Sequence, residues 1–103
     1  MRVTLSLAVL LAGAASAAAQ TACTEPPAPP PPIDGAQANA DQLRAAMTQA
    51  RDFIAMAGVY QDCLAQSGDP DGKTRIAASR KAQESVSRSI NAAMATYKRA
   101  QAN

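Results

Sequence analysis

The chain has 103 residues, of which 48% are hydrophobic, and its 10 basic and 8 acidic residues give a formal net charge of +2 at pH 7. A chain of this length forms one small domain, and a charge so close to balance identifies no partner. There is no histidine, the commonest general base and metal ligand, and the two cysteines fit neither a zinc set nor a C-x-x-C motif. The composition therefore predicts a protein that is not an enzyme and that uses no metal or cofactor.

Residues 1 to 19 have the pattern of a secretory signal peptide. Arg2 supplies a positive charge, residues 3 to 12 form an apolar run, and small residues follow. Cleavage is expected after Ala19, although cleavage after Ala17 also fits the preference for small residues. The apolar run is shorter than the about 20 residues that cross a bilayer. We therefore expect a periplasmic or secreted protein with no transmembrane segment after signal removal.

Residues 20 to 38 form a proline-rich arm, with six prolines between residues 26 and 32. Proline fixes φ and removes a backbone donor, so this arm is expected to be an extended polyproline II rod that rises about 3.1 Å per residue. A turn at Asp34-Gly35 lets the rod run back along the first helix. With a three-residue period, one face of the rod packs against two aromatic side chains. The expected packing residues are Pro26, Pro29 and Pro32 with Phe53 and Tyr60.

Cys23 and Cys63 are the only cysteines, and both follow the signal peptide. In an oxidising compartment this pair predicts a disulfide, which fastens the arm to the first helix. Closing a loop of about 40 residues stabilises the fold by about 4 kcal/mol if the effect is entropic. The alternative is a lipid anchor on Cys23. Residues 20 to 22 make a poor lipobox, however, and a lipid anchor would leave Cys63 as a free thiol.

Residues 39 to 67 have the pattern of a long helix. Asn39 and Gln42 have the spacing of a capping box, and Asp41 suits the positive end of the helix dipole. Gly58 interrupts this helix at a cost of about 1 kcal/mol relative to alanine, which points to a close approach of another backbone segment. The apolar stripe recurs at steps of three and four. Its members are Leu43, Ala46, Met47, Ala50, Phe53, Ile54, Ala57, Tyr60 and Leu64.

Residues 68 to 72 form a loop of glycine, aspartate and proline, and a second helix is expected over residues 73 to 101. The helix start can be placed at Asp69-Pro70 or a few residues later. Its apolar stripe contains Ser79 and Gln83, so the core is expected to be thinner there. The apolar members of this stripe are Ile76, Val86, Ile90, Ala93, Met94, Tyr97 and Ala100.

Folding the chain about Pro70 brings the two stripes face to face, and apolar residues meet in almost every pair. The expected pairs are Leu64 with Ile76, Phe53 with Val86, Ala50 with Ile90, Ala46 with Ala93, and Leu43 with Tyr97. The sequence thus predicts an all-α fold. It is a two-helix antiparallel hairpin with an extended polyproline arm that packs back on helix one and is disulfide-linked to it.

The order of Cys23, a proline-rich segment that ends in Ile33-Asp34-Gly35, a long helix with Tyr60 and Cys63, and a second helix resembles a group of short uncharacterised exported proteins of proteobacteria. In that group the motif is nearer to Ile-Pro-Asp-Gly followed by an alanine-serine helix start. This chain lacks that proline and has an asparagine in place of the serine. The resemblance covers residues 23 to 66 and implies no activity.

The second helix is basic, because residues 73 to 103 carry seven basic residues and only Glu84 as an acid. One interpretation is a solvated face, partly neutralised by Glu84, which stands four residues before Arg88. The other is a surface for anionic membrane lipid, cell-wall polymer or an acidic protein. Because the charges do not form one narrow stripe, we favour the solvated face. The residues concerned are Lys73, Arg80, Lys81, Arg88, Lys98 and Arg99.

The expected function is structural or protein-interaction, with an unidentified protein or a second copy of the chain as the partner. Self-association would form a four-helix bundle through the alanine-rich surface. The competing hypotheses are a binder of anionic envelope components through the second helix, and a protein anchored by a lipid on Cys23. Nucleic acid is an unlikely partner after export, and no aromatic platform accompanies the charges.

Overall fold

A computed structural model describes residues 23 to 103 of the chain. In this part of the chain, helix α1 spans Ala40–Ser67 and helix α2 spans Gly72–Ala102. The predicted all-α helical hairpin is confirmed. Against the predicted bounds, residues 39 to 67 and 73 to 101, α1 begins one residue later and α2 is one residue longer at each end. The predicted signal peptide, residues 1 to 19, lies outside the described residues.

Helix α1 begins with the capping box that its sequence predicts. The Gln42 backbone N–H donates to Asn39 Oδ1 at 2.8 Å, and the Asn39 backbone N–H donates to Gln42 Oε1 at 2.9 Å. Two N–H groups without an intrahelical partner are thereby satisfied. The helix ends at Gly68, whose φ of 70° lies in the left-handed region. Glycine adopts this conformation without the steric cost of a Cβ atom, so Gly68 stops the helix sharply.

The connection to α2 is a tight turn. The Gly72 N–H donates to the Asp69 carbonyl oxygen at 2.9 Å, and the Asp71 N–H donates to Asp69 Oδ1 at 2.8 Å. Pro70 fills the second turn position, where its fixed φ suits a type I turn, and Asp71 has φ −93° and ψ 6°, as the third position requires. Asp69 therefore organises the turn, and α2 begins at Gly72, the later of the two predicted starts.

The two helices contribute unequally to the seam between them. The buried apolar residues are Leu43, Ala50, Phe53, Ala57, Tyr60 and Leu64 from α1, and Val86 and Ala93 from α2. Phe53, Ala50 and Val86 form one cluster, against which Ile90 packs. This cluster agrees with the predicted pairing of Phe53 with Val86 and of Ala50 with Ile90. The thinner stripe predicted for α2 is also observed.

A polar bridge fills the part of the seam where α2 is polar. Gln61 Nε2 donates to Ser79 Oγ at 3.1 Å and to Gln83 Oε1 at 2.9 Å, and all three side chains are half-buried. Both amide hydrogens of Gln61 are used, so the pairing satisfies groups that would otherwise lose hydrogen bonds to water. The bridge joins α1 and α2 and holds them in one register.

Candidate interaction surfaces

The arm is fastened at its first described residue. Cys23 and Cys63 form a disulfide in which the Cα atoms are 5.7 Å apart, which confirms the predicted bond. Cys63 lies one turn before the end of α1, so the arm runs back along the hairpin from the start of that helix. Both sulfur atoms are used in this bond. Cys23 therefore has no thiol for a lipid, and the lipid-anchor hypothesis does not fit this arrangement.

Gly35 fixes the other end of the arm against α2. Gly35 is buried, and a Cβ atom added there would collide with the carbonyl oxygen of Ala93 and lie 2.9 Å from the backbone nitrogen of Tyr97. Only glycine allows the two backbones to approach so closely. The sequence prediction placed a close approach at Gly58 and was wrong. Apart from the neighbouring backbone of α1 itself, an added Cβ at Gly58 meets no atom of residues 23 to 103 within 4 Å.

Asp34 shapes the turn that presents Gly35. Its side-chain Oδ1 accepts a hydrogen bond from the Ala36 N–H at 2.9 Å, and its carbonyl oxygen accepts from the N–H groups of Gln37 and Ala38 at 3.1 and 3.0 Å. Aspartate is favoured in turns because its side chain bonds to the backbone two residues ahead. The predicted Asp34-Gly35 turn is thus present, and it leads directly into the capping box of α1.

The arm buries a different set of residues from the one predicted. Among residues 23 to 33, the half-buried positions are Cys23, Pro26, Pro30 and Ile33. Of the predicted packing residues, Pro26 is half-buried, whereas Pro29 and Pro32 line the grooves beside the helices but are exposed. A strict period of three belongs to an unrestrained polyproline II helix. Here both ends of the arm are fixed, and its half-buried positions Pro26 and Pro30 are four residues apart instead of three.

The arm lies in the groove between the helices and so faces α2 as well as α1. Residues 30 to 33 of the arm line a small cavity with residues of both helices, among them Ala50 of α1 and Ile90 of α2. Residues 25 to 29 line a second groove, which we call the arm groove. Apart from the arm, its walls are Phe53 and Tyr60 from α1, and Arg75, Ala78, Ser79 and Ala82 from α2. The arm thus packs back on helix one, as predicted, and it contacts α2 as well.

The predicted aromatic partners of the arm are present at the expected place. Phe53 and Tyr60 are both buried, at 5% and 6% exposure, and both line the arm groove. On the outer edge of α1, Met56 is 41% exposed and lines a shallow groove with Pro27 and Pro30 of the arm. Val59, at 72% exposure, follows it on the same helix. Met56 and Val59 lie outside the apolar stripe that the sequence predicts for α1.

The opposite side of the hairpin carries a surface that we call the open face, made of Met47, Ile54 and Gly58 on α1 with Ser87 and Met94 on α2. Their spacing of four and seven places them on the flank of each helix turned away from the arm. All five are half-buried. Apart from the neighbouring backbone of α1 itself, no atom of the described residues lies within 4 Å of a Cβ built on Gly58, so this face has a notch in it.

The outer side of α2 carries the six predicted basic residues, which we call the basic face. At 100° per residue they fall within an arc of about 100°, and all six are exposed. The expectation that these charges form no single stripe is thus corrected. The ion pairs among the described residues join Arg75 to Asp69 at 3.3 Å and Arg44 to Asp41 at 3.4 Å, so none of the six is neutralised by one. The basic face consists of Lys73, Arg80, Lys81, Arg88, Lys98 and Arg99.

Residues 23 to 103 contain no buried polar or charged side chain and no group of three or more cysteine or carboxylate side chains placed to hold a metal ion. Neither α1 nor α2 has an apolar stretch long enough to cross a membrane. No family model matches the chain, and comparison with characterised proteins and with solved structures finds none that is similar. Within its described part, the chain therefore offers an apolar open face, a proline-covered side and a basic face.

Proposed function

We propose that the chain is an exported, non-enzymatic structural protein that associates with a second copy of itself through the open face. Export is supported by the signal-like residues 1 to 19 and by the disulfide, which persists in oxidising compartments. Two hairpins that pack through their open faces form a four-helix bundle, a common way to complete a two-helix layer.

The observation that carries this proposal is the difference between the two sides of the hairpin. The arm covers one side, whereas on the other side the space above Gly58 is open and the other open-face residues are only half-buried. Glycine in the middle of a helix costs about 1 kcal/mol relative to alanine. No contact within the described hairpin requires that residue 58 lack a Cβ atom. A second helix that crosses the open face at Gly58 would use the notch, because small residues allow backbones to approach.

Sedimentation velocity of the oxidised chain, residues 20 to 103, tests this proposal. We expect a dimer whose stability changes little with salt, because an apolar contact is not screened. Gly58→Arg should give a folded monomer, since its side chain has room in the hairpin but fills the notch. Val59→Arg, one position away on the exposed edge, is the matched control and should remain dimeric. A wild-type chain that stays monomeric at high concentration, or a dimeric Gly58→Arg variant, contradicts the proposal.

A second candidate function is binding to anionic envelope surfaces through the basic face, and it is favoured by the six exposed basic residues without an ion pair. Each basic residue near an anionic lipid surface contributes about 1 kcal/mol. Sedimentation with anionic and zwitterionic vesicles distinguishes the two functions, because this binding is weakened by salt. Reversing the charge of Arg80 and Arg88 should abolish it, whereas reversing Arg44 and Arg51 on α1 should not. Equal binding to both vesicle types would exclude it.

A further inference from the structure

The amino-terminal half of the arm is held in place by very few interactions. No hydrogen bond or ion pair among the described residues involves arm residues 23 to 33. Between the disulfide and Gly35, the half-buried residues are Pro26, Pro30 and Ile33. The disulfide is therefore the main constraint on residues 23 to 29, whereas residues 30 to 35 are also held by the cavity between the helices and by the Gly35 contact.

Both Cys23 and Cys63 are half-buried rather than buried, so we expect a small dithiol to reach the disulfide. A reductant with two thiols attacks one sulfur through its thiolate, forms a mixed disulfide, and releases the other cysteine as a thiolate. The second thiol of the reductant then attacks the mixed disulfide and releases the remaining cysteine as a thiolate. Two electrons and two protons pass to the protein, which gains two free thiols, and the reductant becomes a disulfide.

Release of residues 23 to 29 would uncover the arm groove. Its walls are the aromatic rings of Phe53 and Tyr60, the methyl groups of Ala78 and Ala82, and the guanidinium of Arg75. Aromatic-lined grooves bind extended proline-rich segments, because a polyproline II helix is ordered before it binds. The segment that occupies the groove here is of that kind, and it carries Glu25 in the same groove as Arg75.

We infer that the Cys23–Cys63 disulfide is a redox latch over a groove that binds proline-rich segments. In the oxidised chain the groove is occupied by residues 25 to 29 of its own arm. In the reduced chain it accepts a segment of the same chemistry, the arm of a second copy. This inference concerns the side of the hairpin away from the open face and does not depend on the dimer proposed above.

Nuclear Overhauser effects between ring protons test the first half of the inference. In the oxidised chain, residues 20 to 103, contacts are expected from Pro26 to Phe53 and Tyr60. After a dithiol reductant is added, those contacts should weaken clearly, while the Gly35 amide keeps its chemical shift and the helices keep their circular dichroism. Pro26 contacts of unchanged intensity would overturn the latch. Loss of the helices would also overturn it, because the disulfide would then be needed for the whole fold and not only for the position of the arm.

The second half is tested with a synthetic peptide of residues 23 to 33 in which serine replaces cysteine. The probe protein carries Cys23→Ser and Cys63→Ser and so needs no reductant. Because its own arm competes at an effective concentration of about 1 mM, we expect saturable shifts of the Phe53 and Tyr60 ring resonances in the millimolar range. The oxidised wild type should show none, and a peptide with glycine at Pro26 and Pro30 should bind neither protein. Equal shifts in both proteins, or no shifts in the variant, would refute the binding of proline-rich segments in the arm groove.

Discussion

The arm side and the open face are two sides of the same helix pair, and they differ in how far another segment of the chain covers them. On the arm side, Phe53 and Tyr60 lie beneath prolines and are almost fully buried. On the open face, Ile54 and Met47 stay half-buried, with the notch of Gly58 one turn beyond Ile54 and the polar bridge of Gln61 at one edge. Two helices can bury only the residues of their seam, so the residues on either flank need another segment to cover them.

The arm shows how a short chain can cover such a flank at a small cost in free energy. An extended proline rod needs no hydrogen bonds of its own, and its fixed φ reduces the conformational entropy that is lost when it is ordered. The rod has to be fixed in only two places. One is a covalent bond, Cys23–Cys63, and the other is the seat of Gly35 on α2. The open face has neither, which is why we propose a second copy as its cover.

The largest expected effect compares two neighbouring residues, one under the arm and one on the open face. Phe53→Ala removes a ring from the core cluster and should lower the free energy of unfolding by about 3 to 5 kcal/mol. Ile54→Ala, on the half-buried flank, should cost about 2 kcal/mol or less. Urea unfolding followed by far-ultraviolet circular dichroism, at a concentration where the chain is monomeric, measures both. Equal costs would mean that the two sides are covered alike.

The next effect compares the same substitution at two glycines. Gly35→Ala should lower the free energy of unfolding by about 2 to 3 kcal/mol, because the added Cβ meets the backbone of α2 and backbone cannot move aside. Gly58→Ala should raise it by about 1 kcal/mol, since the helix gains an alanine and nothing is in the way. Changes of opposite sign in the free energy of unfolding would support the contact between Gly35 and α2. If both variants gain stability, Gly35 does not touch α2.

The smallest effect concerns the polar bridge. Gln61→Ala leaves the half-buried side chains of Ser79 and Gln83 without their donor and should cost about 1 kcal/mol. Gln66→Ala, at an exposed position near the end of α1, is the control and should change the free energy of unfolding by less than about 0.5 kcal/mol. A cost that is the same in both variants would show that the bridge contributes no stability.

Much of the fold could be predicted from the sequence because its signals are local or covalent. The capping box at Asn39, the turn at Asp69-Pro70 and the stripe spacing each depend on a few adjacent residues. The disulfide followed from there being only two cysteines. The register of the hairpin came from matching two stripes, and Gln61 could have been found in the same way, because that register places it opposite Ser79 and Gln83.

The parts that could not be predicted depend on how the three segments meet in space. Gly35 and Gly58 look alike in sequence, and only the path of the arm determines which one touches another backbone. The packing face of the arm shifted from Pro29 to Pro30 because both ends of the rod are fixed. Its position between the helices, rather than on α1 alone, depends on the width of a groove that neither helix defines by itself.

The most direct test of this account is a solution structure of the oxidised chain, residues 20 to 103, restrained by nuclear Overhauser effects from the arm. The account predicts contacts from Pro26 and Pro30 to aromatic or methyl groups of α1 and α2, together with contacts between Gly35 and Ala93. An arm whose prolines show no contact with either helix, with Gly35 free in solvent, would contradict it.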